Sequence, residues 1–121
     1  MNMTYDDQNI FAKILRGEIP NQTVLETEHC LAFRDINPSA STHVLVIPKG
    51  AYVSAADFTS KASDAEIVDL VRTLGKIGEM EGVVESGYRI LSNHGKDAYQ
   101  EVPHFHVHVL GGGPLRKGLN S

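Results

Sequence analysis

Cysteine is nearly absent from this 121-residue chain: Cys30 is the only one, so no disulfide can form within it, and a reducing cytoplasm is the expected setting. Long apolar runs are missing too. The stretch Val44–Ile47 is far too short to cross a bilayer. The first residues, Met1 to Gln8, are polar and carry two aspartates, with neither the basic start nor the apolar centre of a secretory signal. Positive charge is not in excess. The net charge of −4 and pI near 5.8 argue against a broad cationic surface for nucleic acid, although a small anionic ligand needs only local donors. Repeats, low-complexity tracts and linkers are lacking as well. With 41% hydrophobic residues, one folded domain over residues 1–121 is expected, large enough to bury a core without staples.

What is present is histidine, in one place. Of six histidines, three alternate in His104-Phe105-His106-Val107-His108, followed by Val109, Leu110 and three glycines. Side chains alternate across a strand, so the three imidazoles are expected on one face and Phe105, Val107 and Val109 on the other, against a core. Stability gives no reason to gather titratable rings that repel once protonated. Such clusters mark functional sites. His29 and His94, each alone, read as ordinary surface or satisfied histidines.

The remaining pattern places this strand in an α+β fold. Asn9 can cap a short helix whose Ile10, Phe11, Ile14 and Leu15 form a stripe, with Gly17 and Pro20 ending it. Strands are expected at 23–26, 29–35, 43–47 and 87–92, with a loop at 36–42 around Asn37-Pro38. Ser63 and Glu66 fit a capping box. Ile67, Leu70, Val71, Leu74 and Ile77 then recur at helical spacing up to a stop at Gly82. Gly75 and Gly78 weaken that helix and suggest close packing. Asn93 opens a polar loop that runs to Pro103, where the histidine strand begins. The sum is an antiparallel sheet of about five strands with one long and one short helix.

Two chemistries fit three imidazoles on a strand. Neighbouring same-face residues lie about 6.6 to 6.8 Å apart, so two histidines could share zinc with His43 or an acidic residue. All three converging is strained, because the outer pair spans about 13 Å and zinc wants nitrogens at about 2.0–2.1 Å. The alternative is nucleophilic attack on phosphorus by the middle residue, His106, whose neighbours can steer a phosphate and assist proton transfer. Neutral imidazole is competent near pH 7, its ordinary pKa being about 6.5. Asp35 has an ordinary reading, stabilising the turn before Asn37-Pro38, and Phe11 and Phe33 read by default as core.

The run from His104 to Leu110 matches His-φ-His-φ-His-φ-φ, φ being apolar, at every position. In this it resembles the histidine triad family. The resemblance extends upstream through Ile10-Phe11 to Ile19-Pro20, Cys30 to Pro38, Thr42 to Lys49, Gly87-Tyr88-Arg89 and Asn93, in the order of the nucleotide-binding (Hint-like) branch. It implies a homodimer whose sheets join across the interface. The implied partner is a purine nucleoside monophosphate or its phosphoramidate, and the implied reaction is phosphoramidate hydrolysis without metal or other cofactor. By position, His106 becomes the transiently nucleotidylated nucleophile. His108 contacts the phosphate and helps the leaving group, and His104 and His43 complete the cluster. Asp35 binds the ribose, Ile10, Phe11, Phe33 and Ile36 surround base and sugar, and Asn93, Gln100 and Val102 sit near the phosphate. A dinucleoside polyphosphate hydrolase of the Fhit-like type, a nucleotide-sensing protein with residual catalysis, and a zinc-binding module stay open. The chain departs from many relatives at Ala98-Tyr99, where Gly-Gly is common, at Glu101, and in a short tail after Gly113 without tryptophan.

Overall fold

The computed structural model describes residues 4–118; the outermost residues of the expected 1–121 domain, 1–3 and 119–121, lie outside the described residues. Helix α1 (Ile10–Leu15) leads into strands β1 (Thr23–Glu26), β2 (Cys30–Arg34) and β3 (Thr42–Pro48). Helices α2 (Ala55–Lys61) and α3 (Asp64–Met80) follow, then β4 (Tyr88–Leu91) and β5 (Val107–Gly111). The five strands form one antiparallel sheet in the order β1-β2-β3-β5-β4, an α+β fold as expected. No helix among the described residues is long and apolar enough to cross a membrane.

Local chemistry explains most boundaries. The Asn9 side chain accepts from the Ala12 amide at 2.9 Å and starts α1; Gly17, with φ of +78°, lets the chain leave it. The Ser63–Glu66 capping box forms in full. Helix α2 is one short helix more than the spacing predicted. Its start is fixed by Asp57, whose carboxylate accepts from the amides of Val53 and Ser54 at 2.7 and 2.8 Å, and of its apolar side chains only Phe58 is fully buried. On α3 the buried line runs through Leu70, Thr73, Leu74 and Ile77. Val71, expected inside, is 59% exposed, and Thr73 holds the inward place. Gly78 does mark close packing, since a Cβ there would stand 2.8 Å from the Tyr88 ring; Gly75 has no such neighbour.

Strand alternation divides the interior into two layers. Cys30 and Ala32, Val44 and Val46, and Val107 and Val109 meet Leu70, Leu74 and Ile77 of α3 and Phe58 of α2. Leu31 and Phe33, with Leu45 and Ile47, meet Phe11 and Ile14 of α1 on the opposite face. Because both faces of β2 and β3 are covered, these central strands read as nearly continuous apolar runs. Helix α1 covers only part of its face. The remainder holds the histidines.

Candidate active site

The register of β3 and β5 assembles this site. Leu45 pairs with His108 and His43 with Leu110, so His43 and His108 are diagonal neighbours on the α1 face. The alternation from His104 to Val109 holds, but the strand does not extend as far as expected. Ladder pairing begins only at Val107. His104, at the end of a bend, and His106 lie in the unpaired segment before it, which is tied down otherwise: the Phe105 amide donates to the Tyr52 carbonyl at 2.8 Å, and the Ser92 hydroxyl to the His106 carbonyl at 2.6 Å. The bonds to these neighbours take the place of a sheet partner.

A cavity of about 640 Å³ opens on this face. Ile10, Phe11, Phe33, Asp35, Ile36, His43, Asn93, Gln100, Val102, His106 and His108 all line it, together with Tyr99 and Glu101. His104 does not. It is fully buried behind His106, with its ring edge-on to Tyr5 at 5.6 Å. His29 and His94 also lie outside the cavity lining. Phe11 and Phe33 combine both expected parts: they are core residues in mutual edge contact at 5.5 Å, and they wall the cavity.

Hydrogen bonds assign the tautomers of all four clustered imidazoles, because a backbone amide can only donate and a carbonyl only accept. The Ser39 amide donates to His43 Nδ1 at 2.9 Å, so neutral His43 carries its proton on Nε2. That Nε2–H donates to His108 Nδ1 at 2.9 Å, which leaves the His108 proton on Nε2. His106 Nδ1–H donates to the His104 carbonyl at 2.7 Å, so His106 Nε2 holds a lone pair. His104 Nε2–H donates to the Pro48 carbonyl at 2.8 Å, and its Nδ1 accepts from the Tyr5 hydroxyl at 2.7 Å. His106 and His108, with ring centroids 5.1 Å apart, therefore have opposite tautomers.

Burial keeps the four rings neutral. Loss of solvation pulls His104 and His108 down to about 4; a bond to Pro48 opposes this at His104, whereas neighbouring His106 and His43 reinforce it at His108. His106 is also lowered by burial, against the pull of the His104 carbonyl, and His43 by burial against nearby Asp35. Cys30, fully buried in β2, has its thiol pushed up to about 12 by desolvation and then by Asp69, and stays unreactive.

Two predicted ligand residues have further tasks. Asp35 Oδ1 accepts from the Asn37 amide at 2.8 Å, the turn reading, while Oδ2 stands 3.4 Å from His43 Nε2. The Gln100 side chain donates to the carbonyls of Val53 and Val102 at 2.7 and 3.0 Å and accepts from the Gly95 amide at 3.0 Å. Both its N–H donors are taken, so it holds the loop and has none left for a phosphate in this arrangement. Asp35, His43 and His108 also bring one ligand atom each within 4.8 Å of one another. Two nitrogens on tetrahedral zinc stand about 3.3 Å apart; the His43–His108 pair at 2.9 Å is closer and already bridged by a proton. As arranged it is a hydrogen bond rather than a chelate.

Tyr5 was invisible as a site residue in the sequence, since nothing local links it to a segment 99 positions away. The Ser39 amide is equally silent, belonging to backbone inside a predicted loop.

A five-stranded antiparallel sheet with the alternating histidines entering its fifth strand, beside a cavity of this size, is the architecture of a histidine triad protein. The HIT domain model matches residues 16–115, and the chain belongs to that family. It is 60% identical over 118 residues to a 13.2 kDa HIT-like protein of Azospirillum brasilense, covering 95% of this chain and 97% of that one. It is 40% identical over 109 residues to the purine nucleoside phosphoramidase of Escherichia coli K12, covering 90% and 91% of the two chains. A solved histidine triad protein from Clostridium difficile superposes with a TM-score of 0.83 at 37% identity, covering 95% of this chain and 99% of that one.

Proposed function

We propose that this protein hydrolyses purine nucleoside phosphoramidates through a nucleotide transiently bonded to His106. The observation that carries this reading is the tautomer pair. His106 Nε2 offers a lone pair at the cavity floor, and His108 Nε2 offers a proton beside it. The similarity to the Escherichia coli phosphoramidase supports the substrate class.

In the first step His106 Nε2 attacks phosphorus and forms the N–P bond. The P–N bond to the amine breaks, its electron pair leaves on nitrogen, and that nitrogen takes a proton from solvent. His108 Nε2–H steadies the phosphoryl group and the departing amine. The imidazolium formed on His106 keeps its Nδ1–H on the His104 carbonyl, so the ring does not turn between steps. Water then attacks phosphorus, the pair returns to His106 Nε2, and the water proton passes to solvent. Phe11, Phe33 and Ile36 enclose the base and sugar, and Asp35 Oδ2 accepts from the ribose. Asn93 and the Val102 backbone lie at the phosphate. His104 acts from behind, as the anchor of His106.

The setting proposed is a cytoplasmic homodimer. An outer strand, β4, carries exposed Tyr88 and Ile90 at one edge of the sheet, which suits pairing with a second copy.

The test is adenosine 5′-phosphoramidate incubated with wild type and His106→Asn, with and without chelator. Expected are AMP release that resists chelation, and loss of turnover in the variant by at least about 10³-fold with AMP binding retained. Normal turnover by the variant removes His106 as nucleophile. Abolition by chelator moves the chemistry to a metal on Asp35, His43 and His108. Equal cleavage of diadenosine polyphosphates favours the dinucleotide hydrolase, and AMP binding with no turnover of either substrate favours a sensor.

A further inference from the structure

Tyr99 is the one non-glycine with positive φ among the described residues, at 57° with ψ of 43°. That left-handed conformation crowds a Cβ and is the natural place for glycine. It is not a mobile accident of the loop. The Tyr99 amide donates to the Lys96 carbonyl at 3.0 Å and the Gln100 amide to the Gly95 carbonyl at 3.1 Å. The Gln100 side chain ties the same turn to Val53. A rigid loop therefore holds a bulky aromatic in a strained position. Tyr99 is 85% exposed, so packing cannot be what retains it, yet it lines the cavity, at its solvent side. Strain kept without a packing return is characteristic of functional positions.

Position within the cavity indicates what the ring meets. His106 is only 8% exposed and forms the floor. In an in-line displacement the leaving group lies opposite the attacking nitrogen, hence toward the open mouth. The nucleoside end is already walled by Phe11, Phe33, Asp35 and Ile36. We propose that Tyr99 is a specificity residue for the leaving group, a platform on which a flat aromatic amine stacks before and during its departure. This rests on the phosphoramidase reading above. The favoured substrate class is a nucleoside phosphoramidate whose amine carries an aromatic ring. An offset or edge contact with such a ring is worth about tenfold in kcat/KM.

The experiment compares kcat/KM for two adenosine phosphoramidates, one with an unsubstituted amine and one with an arylethylamine. Enzymes are wild type, Tyr99→Phe and Tyr99→Gly, the last being suited to the backbone here. The ratio of aromatic to unsubstituted substrate falls about tenfold in Tyr99→Gly and stays within about twofold of wild type in Tyr99→Phe. An unchanged ratio in Tyr99→Gly overturns the proposal, as does an equal fall in both variants, which would assign the effect to the hydroxyl. AMP affinity lost in Tyr99→Gly as strongly as the ratio would place the ring at the nucleoside end and also overturn it. A wild type that binds AMP but turns over neither substrate defeats the phosphoramidase reading, and this proposal with it.

Discussion

The two faces of the segment 104–109 are built by one alternation and do opposite things. Phe105, Val107 and Val109 face α2 and α3, where apolar burial lowers the free energy of the fold. His104, His106 and His108 face α1 and the cavity, where burial raises it, because each ring must give up water and remain neutral. The first face can be exchanged for other apolar groups of similar volume. The second is defined atom by atom, by which nitrogen holds the proton. Stability therefore resides in the helix face, and the proposed chemistry in the histidine face.

Substitutions on each side should separate these properties, the largest effect first. His106→Asn removes turnover by at least about 10³-fold, yet changes thermal stability little because it relieves a buried imidazole. Ile77→Ala, on the fully buried helix face, does the reverse: it lowers unfolding free energy by about 2–5 kcal/mol in urea titrations, while activity per folded molecule is kept. A loss of specific activity there would break the division.

Acid tests the histidine face without mutation. His104 and His108 are held at about 4 in the fold against about 6.5 when unfolded. Between those values the unfolded chain binds the extra protons, so stability is complete above pH 6.5 and declines as pH falls toward 4, by a few kcal/mol in all. The acid limb of kcat/KM likewise lies below pH 6.5, because His106 is lowered too. Denaturant titrations and rate profiles across pH 4–7.5 check both; a stability maximum near pH 5 would contradict the neutral cluster. The smallest effect is expected at Tyr5→Phe. It removes one hydrogen bond to His104, costs about 1 kcal/mol, and reduces kcat modestly with KM unchanged.

The sheet was legible because short apolar runs at β2 and β3 are bounded by turn residues, and α3 because its capping box and spacing coincide. Helix α2 was not: only one of its apolar residues, Phe58, is fully buried, so it has no periodic stripe, and its start depends on Asp57 accepting from backbone amides. Val71 fits the helical period but falls just outside one margin of the buried arc, whose opposite margin is held by Thr73. At the site, the residues lining the cavity could be named through the triad spacing and the family resemblance. Their roles were harder to read. His104 lies behind the cavity and Gln100 spends its amide on the loop, because hydrogen-bond partners such as Pro48, Val53 and Ser39 are contributed as backbone, which carries no residue identity.

The central claim is that His106 Nε2 becomes covalently bonded to the nucleotide. Acid-free rapid quench of the wild type with an adenosine phosphoramidate, followed by intact-mass and peptide analysis, addresses it directly. The account predicts an adenylyl adduct on the peptide bearing His106, formed and lost at rates compatible with turnover and absent from His106→Asn. Turnover by the wild type with no adduct at any time, or an adduct on another residue, would contradict it.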